Sequence, residues 1–247
     1  IPLPLGSATV FGDLSAAAAV ATTSADDLTR AFSTGALTTA GILSIQATSS
    51  SGATASATGA ALNNQIGVGV ALAINTADNQ SQAYVGGTAA SSGLSIGSQT
   101  GITDQNFTAT ATSGAGATTV GVAGAVAINN ADSTYTARIE PAATVTLVGG
   151  DLTISTDNRS GTAASAAPVN AGVAGPPVGV GPSFALNRVG HQSEVLIGDG
   201  ANVNGAGDLT LAAAGEHTAS SQAQAGGTGN GTVAPAVAFG FTDNATS

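Results

Sequence analysis

The nine residues Gly67-Val-Gly-Val-Ala-Leu-Ala-Ile-Asn75 return, with substitutions, at Gly121–Asn129, Gly179–Asn187 and Val233–Gly240. A segment written four times at nearly even spacing commits a chain to a repeat architecture, in which each copy buries its apolar surface against the next. Within the segment the larger apolar residues alternate with small ones, the period-two signature of a pleated strand. Around it the order is constant: a small-residue run rich in Thr and Ser, the Gly-Val strand, an Asp-Asn pair, a short apolar strand, then a Leu box. The boxes read Gly12-Asp13-Leu14-Ser15, Ile42-Leu43-Ser44-Ile45, Gly93-Leu94-Ser95-Ile96, Asp151-Leu152-Thr153-Ile154 and Asp208-Leu209-Thr210-Leu211.

Composition decides what kind of core such repeats can have. Charged residues are 7% and aromatic residues 3% of the 247, and Ala, Gly, Ser, Thr and Val fill most positions. A core of large interlocking side chains is therefore out of reach, and backbone hydrogen bonding with close sheet packing must supply the stability. A mean hydropathy of +0.29 with so little charge opposes disorder. Cys is absent, which excludes disulfides and thiolate metal sites. A net charge of −10 with four basic residues, all Arg, disfavours binding to nucleic acid or to an anionic membrane. Val68–Ile74, the longest apolar run, is too short to span a bilayer as a helix. A first residue of Ile rather than Met reads as a processed product or an excerpt of a longer chain.

The fold expected is all-β, a β-solenoid of the parallel β-helix kind built from about four degenerate repeats of roughly 51–58 residues. Box-to-box spacings of 29, 51, 58 and 57 residues divide the chain into 1–13, 14–43, 44–94, 95–152, 153–209 and 210–247, with partial repeats at both ends. The simplest account of the short first unit is a full unit of two turns that has lost one. The alternative is a repeated antiparallel hairpin, descending through Phe107–Thr112, turning at Ser113–Ala117 and returning through Val120–Asn129. Ala25-Asp26-Asp27, Ala77-Asp78-Asn79, Ala131-Asp132-Ser133 and Thr242-Asp243-Asn244 read as corners. Asn75, Asn129 and Asn187 fall at equivalent positions and predict an axial amide ladder, interrupted at Thr23 and Gly240. Leu72, Ile74, Leu94, Ile96, Val126, Ile128, Leu152, Ile154, Leu209 and Leu211 are expected to point inward, so that Ile128→Asp ranks among the worst substitutions. Pro168, Pro176, Pro177 and Pro182 mark the third repeat as a place of local variation.

Gly67–Asn75, Gln82-Ala-Tyr-Val-Gly86, Gly149-Gly-Asp-Leu-Thr-Ile154 and Val195–Val203 together resemble very large repetitive bacterial surface proteins. The type is the β-strand-repeat exoprotein, which includes filamentous-haemagglutinin-like adhesins and leukotoxin-like repeat proteins. The resemblance runs from about Gly12 to Phe241 and implies a secreted, passenger-like β-solenoid. It carries over no site residues, and this chain is far shorter than proteins of that type.

Chemistry-bearing residues are few. Asp151 and Asp208 hold matching positions before a Leu-Thr strand, where turn formation outweighs catalysis. His191 and His217, with Glu194 and Glu216, read as exposed polar residues rather than as a metal or acid–base group. Asp199 and Asp208 are weak candidates for Ca²⁺, since the acidic glycine-rich turns lack the nine-residue calcium-binding period. No catalytic residue and no cofactor is expected. The role expected is an extracellular structural protein whose partner is another copy of itself. The competing roles are an adhesin segment binding host or glycan surfaces through Pro168–Phe184, and a carbohydrate-active β-helix.

Joining Ser247 of one copy to Ile1 of another restores the repeat to within a residue or two. The expectation is therefore head-to-tail filament growth by strand complementation. Ile1, Pro2, Leu3, Pro4 and Leu5 would meet Ala236, Val237, Phe239 and Phe241 of a neighbour. The rival is that the chain is cut from a longer covalent array.

Overall fold

The computed structural model describes residues 5–102, 105–169, 178–226 and 231–247. Every element in them is a β-strand. In chain order they are β1 (Leu5–Phe11), β2 (Leu14–Ser33), β3 (Ala36–Thr38), β4 (Ile42–Ser49), β5 (Gly52–Val85), β6 (Thr88–Ser91), β7 (Gly93–Thr100) and β8 (Gln105–Ile139). There follow β9 (Thr144–Leu147), β10 (Leu152–Val169), β11 (Val178–Val180), β12 (Ser183–Ile197), β13 (Asn202–Asn204), β14 (Leu209–Ala223), β15 (Gly231–Val233) and β16 (Ala236–Thr246). Twelve strands share one sheet, and the short strands β13, β9, β6 and β3 form a second.

Register is the organising fact. Each strand lies parallel to its counterparts in neighbouring repeats, with Leu43 beside Leu94, Asn75 beside Asn129, Leu152 beside Leu94 and Leu209, and Thr144 beside Thr88. Paired residues are thus 51 to 58 positions apart, and the chain advances by one strand spacing per repeat. Two turns per repeat would have paired residues at half that separation, so that expectation is corrected. Within a repeat the chain leaves the box as an outgoing segment and reverses near residues 61–66 or 113–120. It comes back as a returning segment and crosses to the next box through the short strand. The reversal brings the two segments face to face in separate layers, each bonded to its own kind in the next repeat. Antiparallel pairing occurs only between β1 and β2 among the described residues, with Leu5 opposite Val20 and Phe11 opposite Leu14. Leu14 stands beside Ile66, at the head of a returning segment, so the first unit is short because it holds a returning segment and a short strand without a box of its own.

Two kinds of core result. At the base of each repeat, the box, the end of the returning segment and the short strand enclose aliphatic side chains, among them Leu94, Ile96, Leu152, Ile154, Val85, Ile139 and Val145. Along the arm the core is almost wholly alanine: Ala55, Ala57, Ala109 and Ala111 from outgoing segments meet Ala71, Ala73, Ala125 and Ala127 from returning ones. Glycine sets that spacing. A Cβ on Gly69 would lie 2.0 Å from the Gly114 carbonyl oxygen, and one on Gly59 would lie 2.1 Å from that of Val70. Layers this close admit nothing larger than a methyl group between them.

The aliphatic residues of the Gly-Val strand consequently face outward. Leu72, Ile74, Val126 and Ile128 are partly exposed on the outer surface, against expectation, while their neighbours Ala71, Ala73, Ala125 and Ala127 are buried. Leu94, Ile96, Leu152 and Ile154 do point inward. Leu209 and Leu211 occupy the same columns but are 56% and 50% exposed, because no strand lies beyond β14 among the described residues. The Asp-Asn pairs are also mid-strand rather than at corners: Asp78 points out and Asn79 in, in register with Asp132 and Ser133.

Candidate functional site

Between the aliphatic base and the alanine arm lies a belt of buried polar side chains, and it gathers the chemistry the chain has. Asn75 donates through Nδ2 to Asn129 Oδ1 at 2.7 Å, and Asn129 donates to Asn187 Oδ1 at 2.8 Å. The ladder ends on Thr162 Oγ1, 3.1 Å from Asn187 Nδ2, and on Thr23, which stands beside Asn75 without bonding its Oδ1. A second network is built around Asn79 and Ser133, four residues beyond Asn75 and Asn129. Ser49 donates to Asn79 Oδ1 at 2.9 Å and lies 2.9 Å from Asp27 Oδ2. Tyr135 Oη accepts from Asn79 Nδ2 at 3.2 Å and from Gln105 Nε2 at 2.6 Å. Ser133 donates to Asn158 Oδ1 at 3.0 Å. Nothing in the sequence pattern sets Tyr135 or Gln105 apart, because inward polar residues follow the same alternation as inward alanines.

The two histidines meet at the far end of this belt. His191, in β12, stacks on His217, in β14, with ring centres 3.7 Å apart and planes within 8°. Ser160 Oγ bridges them, 3.0 Å from His191 Nε2 and 3.0 Å from His217 Nδ1. His191 is only 4% exposed, which corrects its reading as a surface residue. Burial, and then the neighbouring His217, depress its pKa to about 3; burial lowers that of His217 as well. Both rings are therefore neutral near pH 7, joined through a hydroxyl that donates to one and accepts from the other. Ser160 has a base at hand but is itself buried, so the arrangement ties β10, β12 and β14 together rather than presenting a nucleophile. A shallow hollow lined by Asp132, Gly190, His191 and Asp243 adjoins the pair.

The remaining sequence candidates disperse. Asp151 Oδ1 accepts the backbone N–H of Asp208 at 3.1 Å, linking two successive turns. Asp199 and Asp208 lie at opposite ends of the β13 connection, and no group of three His, Asp or Glu suited to a metal occurs among the described residues. Glu216 is exposed beside His217, and Glu194 stands in register with Thr136. Ala236, Val237, Phe239 and Phe241 are exposed in β16. Leu5 opens β1, whereas Ile1, Pro2, Leu3 and Pro4 lie outside the described residues, as do Pro176 and Pro177. Pro182 lies between β11 and β12 in the returning segment that follows β8, without breaking its register, and its carbonyl still accepts the N–H of Ala125.

No family model, curated protein or solved structure matches this chain. Its reading rests on its own geometry. Exposed side chains of one kind stack from repeat to repeat, as with Asp26, Asp78 and Asp132, or with Phe32 on Tyr84 (5.0 Å between rings) and Arg138 over Tyr84 at 5.1 Å. Such columns give an extended patterned surface.

Proposed function

We propose that this is an extracellular structural protein, a β-solenoid with one turn per repeat and no catalytic function, that associates end to end. The observation that carries the reading is the uncovered edge formed by β14 and β16. Leu94 and Leu152 are 1% and 0% exposed because another repeat covers them, while Leu209, in the same column, is 56% exposed. Among the described residues β14 bonds to β10 alone and β16 to β12 alone, so the other edge of each has no strand beside it there. An edge of this length pairs with any strand of matching register, and the strands that match best are those of another repeat, whichever chain carries it. A column-built scaffold of this kind would display repeated outer faces while its stability comes from the ladders beneath.

Sedimentation and electron microscopy of the 247-residue chain test the proposal. Elongated assemblies growing with concentration are expected, and Leu209→Asp with Leu211→Asp should shorten them while the β-rich circular dichroism spectrum is kept. A chain that stays monomeric at every concentration sinks the proposal.

A further inference from the structure

The outer surface of the returning layer is apolar over the stretch from the reversal to Ile74 and Ile128. Outward positions form columns across repeats: Val20, Leu72, Val126, Phe184 and Val237 in one, and Ile74, Ile128, Leu186 and Phe239 in the next. The columns continue toward the reversal through Val68, Val122 and Val180, then Ile66, Val120 and Val178. On the other side they give way to a mainly polar column of Ser24, Thr76, Asn130, Arg188 and Phe241, and beyond it to Asp26, Asp78, Asp132 and, across Gly190, Asp243. We propose that this face pairs with the same face of a second copy, side by side and with strands antiparallel.

Area, charge and shape argue for that occupant. Five strands about 4.8 Å apart and eight residues at about 3.3 Å each give a face of roughly 600 Å². Two such faces bury about 1,200 Å², within the range of specific interfaces, whereas monomers seldom leave patches this large uncovered. A two-fold axis along the array sets the two acidic columns at opposite edges, apart from each other and outside the buried apolar area. An anionic lipid surface would instead meet those carboxylates directly. Gly124 lies at the middle of the face, where a Cβ would meet nothing within 4 Å. It leaves a furrow walled by Val70, Val126, Phe184 and Val237. With no local contact to explain the glycine, the furrow serves to receive a side chain of the partner.

The chain has no cysteine, so a single one can report the contact. Val126 lies beside the proposed axis and two repeats from the open edge of β16, out of reach of end-to-end contacts. Two residues on either side of the axis and a sheet spacing of about 10 Å set the two Val126 positions roughly 16 Å apart. Val126→Cys should therefore be joined to its counterpart by a bismaleimide of about that reach rather than by a disulfide, and adding Ile128→Glu should abolish the link while leaving circular dichroism and any end-to-end assembly unchanged. A Val126→Cys chain that stays uncrosslinked at concentrations where it self-associates overturns the proposal. So does a chain that floats with neutral phosphatidylcholine vesicles through this face and loses that binding with Ile128→Glu, which would assign the face to lipid.

Discussion

Asn129 both gives and receives an amide hydrogen bond in a buried ladder, so its removal strands two neighbours at once. Asn129→Ala leaves Asn75 Nδ2 and Asn187 Oδ1 without partners, which should cost about 2–5 kcal/mol. The urea midpoint should fall by that free energy divided by the slope, the slope itself unchanged. The reverse change is available at the ladder's end, where Asn75 Oδ1 is buried and unbonded beside Thr23. Thr23→Asn should supply the missing donor and add about 1 kcal/mol, measured in the same titration. The histidines act with the opposite dependence on acid. Because folding lowers the pKa of His191 to about 3 and lowers that of His217, the unfolded chain binds the extra protons. Stability should therefore be highest above about pH 6.5 and fall as pH drops toward the folded value, by about 1.4 kcal/mol per unit for each fully shifted ring. Asp132 and Asp243 line the adjoining hollow. Replacing both histidines by Asn should flatten the profile between about pH 6.5 and about pH 4.5, above the ordinary carboxylate range. An unchanged slope there would rule out the stacked pair as its source.

At the scale of the strand, what matters is how closely two layers approach. Gly69→Ala puts a methyl group 2.0 Å from one carbonyl oxygen and 2.9 Å from another, both on backbone that cannot swing away, and should cost at least about 1–3 kcal/mol. Gly124→Ala, outward in the same kind of segment and meeting nothing within 4 Å, should stay within about 0.5 kcal/mol in dilute protein. Comparing the two melting temperatures isolates layer spacing from strand propensity. The same closeness explains what the sequence could and could not show. Repeat offsets and the column of Asn75, Asn129 and Asn187 were legible, since identical residues at a fixed spacing need no knowledge of direction. The facing of Leu72, Ile74, Val126 and Ile128 was not, because both faces of that strand are apolar and the larger side chains are ordinarily buried. Here the gap admits only alanine, so the larger residues are turned out and Ile128→Asp loses its expected severity. His191, Tyr135 and Gln105 were hidden for a related reason: their inward phase is readable only once alanine is known to mark the interior.

For the molecule as a whole, the decisive quantity is the length of chain that advances the structure by one strand. Leu94 and Leu152 are register partners, as are Asn129 and Asn187, and Ile139 and Ile197. Removing residues 95–152 joins Leu94 to Thr153, which takes the place of Ser95 and carries its whole repeat into the vacated position. Asn75 then faces Asn187 and the amide ladder continues one rung shorter, while Val85 meets Ile197 and the aliphatic base stays closed. The buried network around Tyr135 and Gln105 is lost. The shortened chain should fold with an unchanged type of β spectrum, and its denaturant slope should fall in proportion to the surface removed, as stability in such arrays sums over neighbours. Removing only 95–123, half that length, should not fold. It joins Leu94 directly to a returning segment, so box and outgoing segment are missing on one layer and the inward alanines of the other have nothing to face. If the half-length deletion folds as well as the full one, the advance per strand is half a repeat and the register described above is wrong.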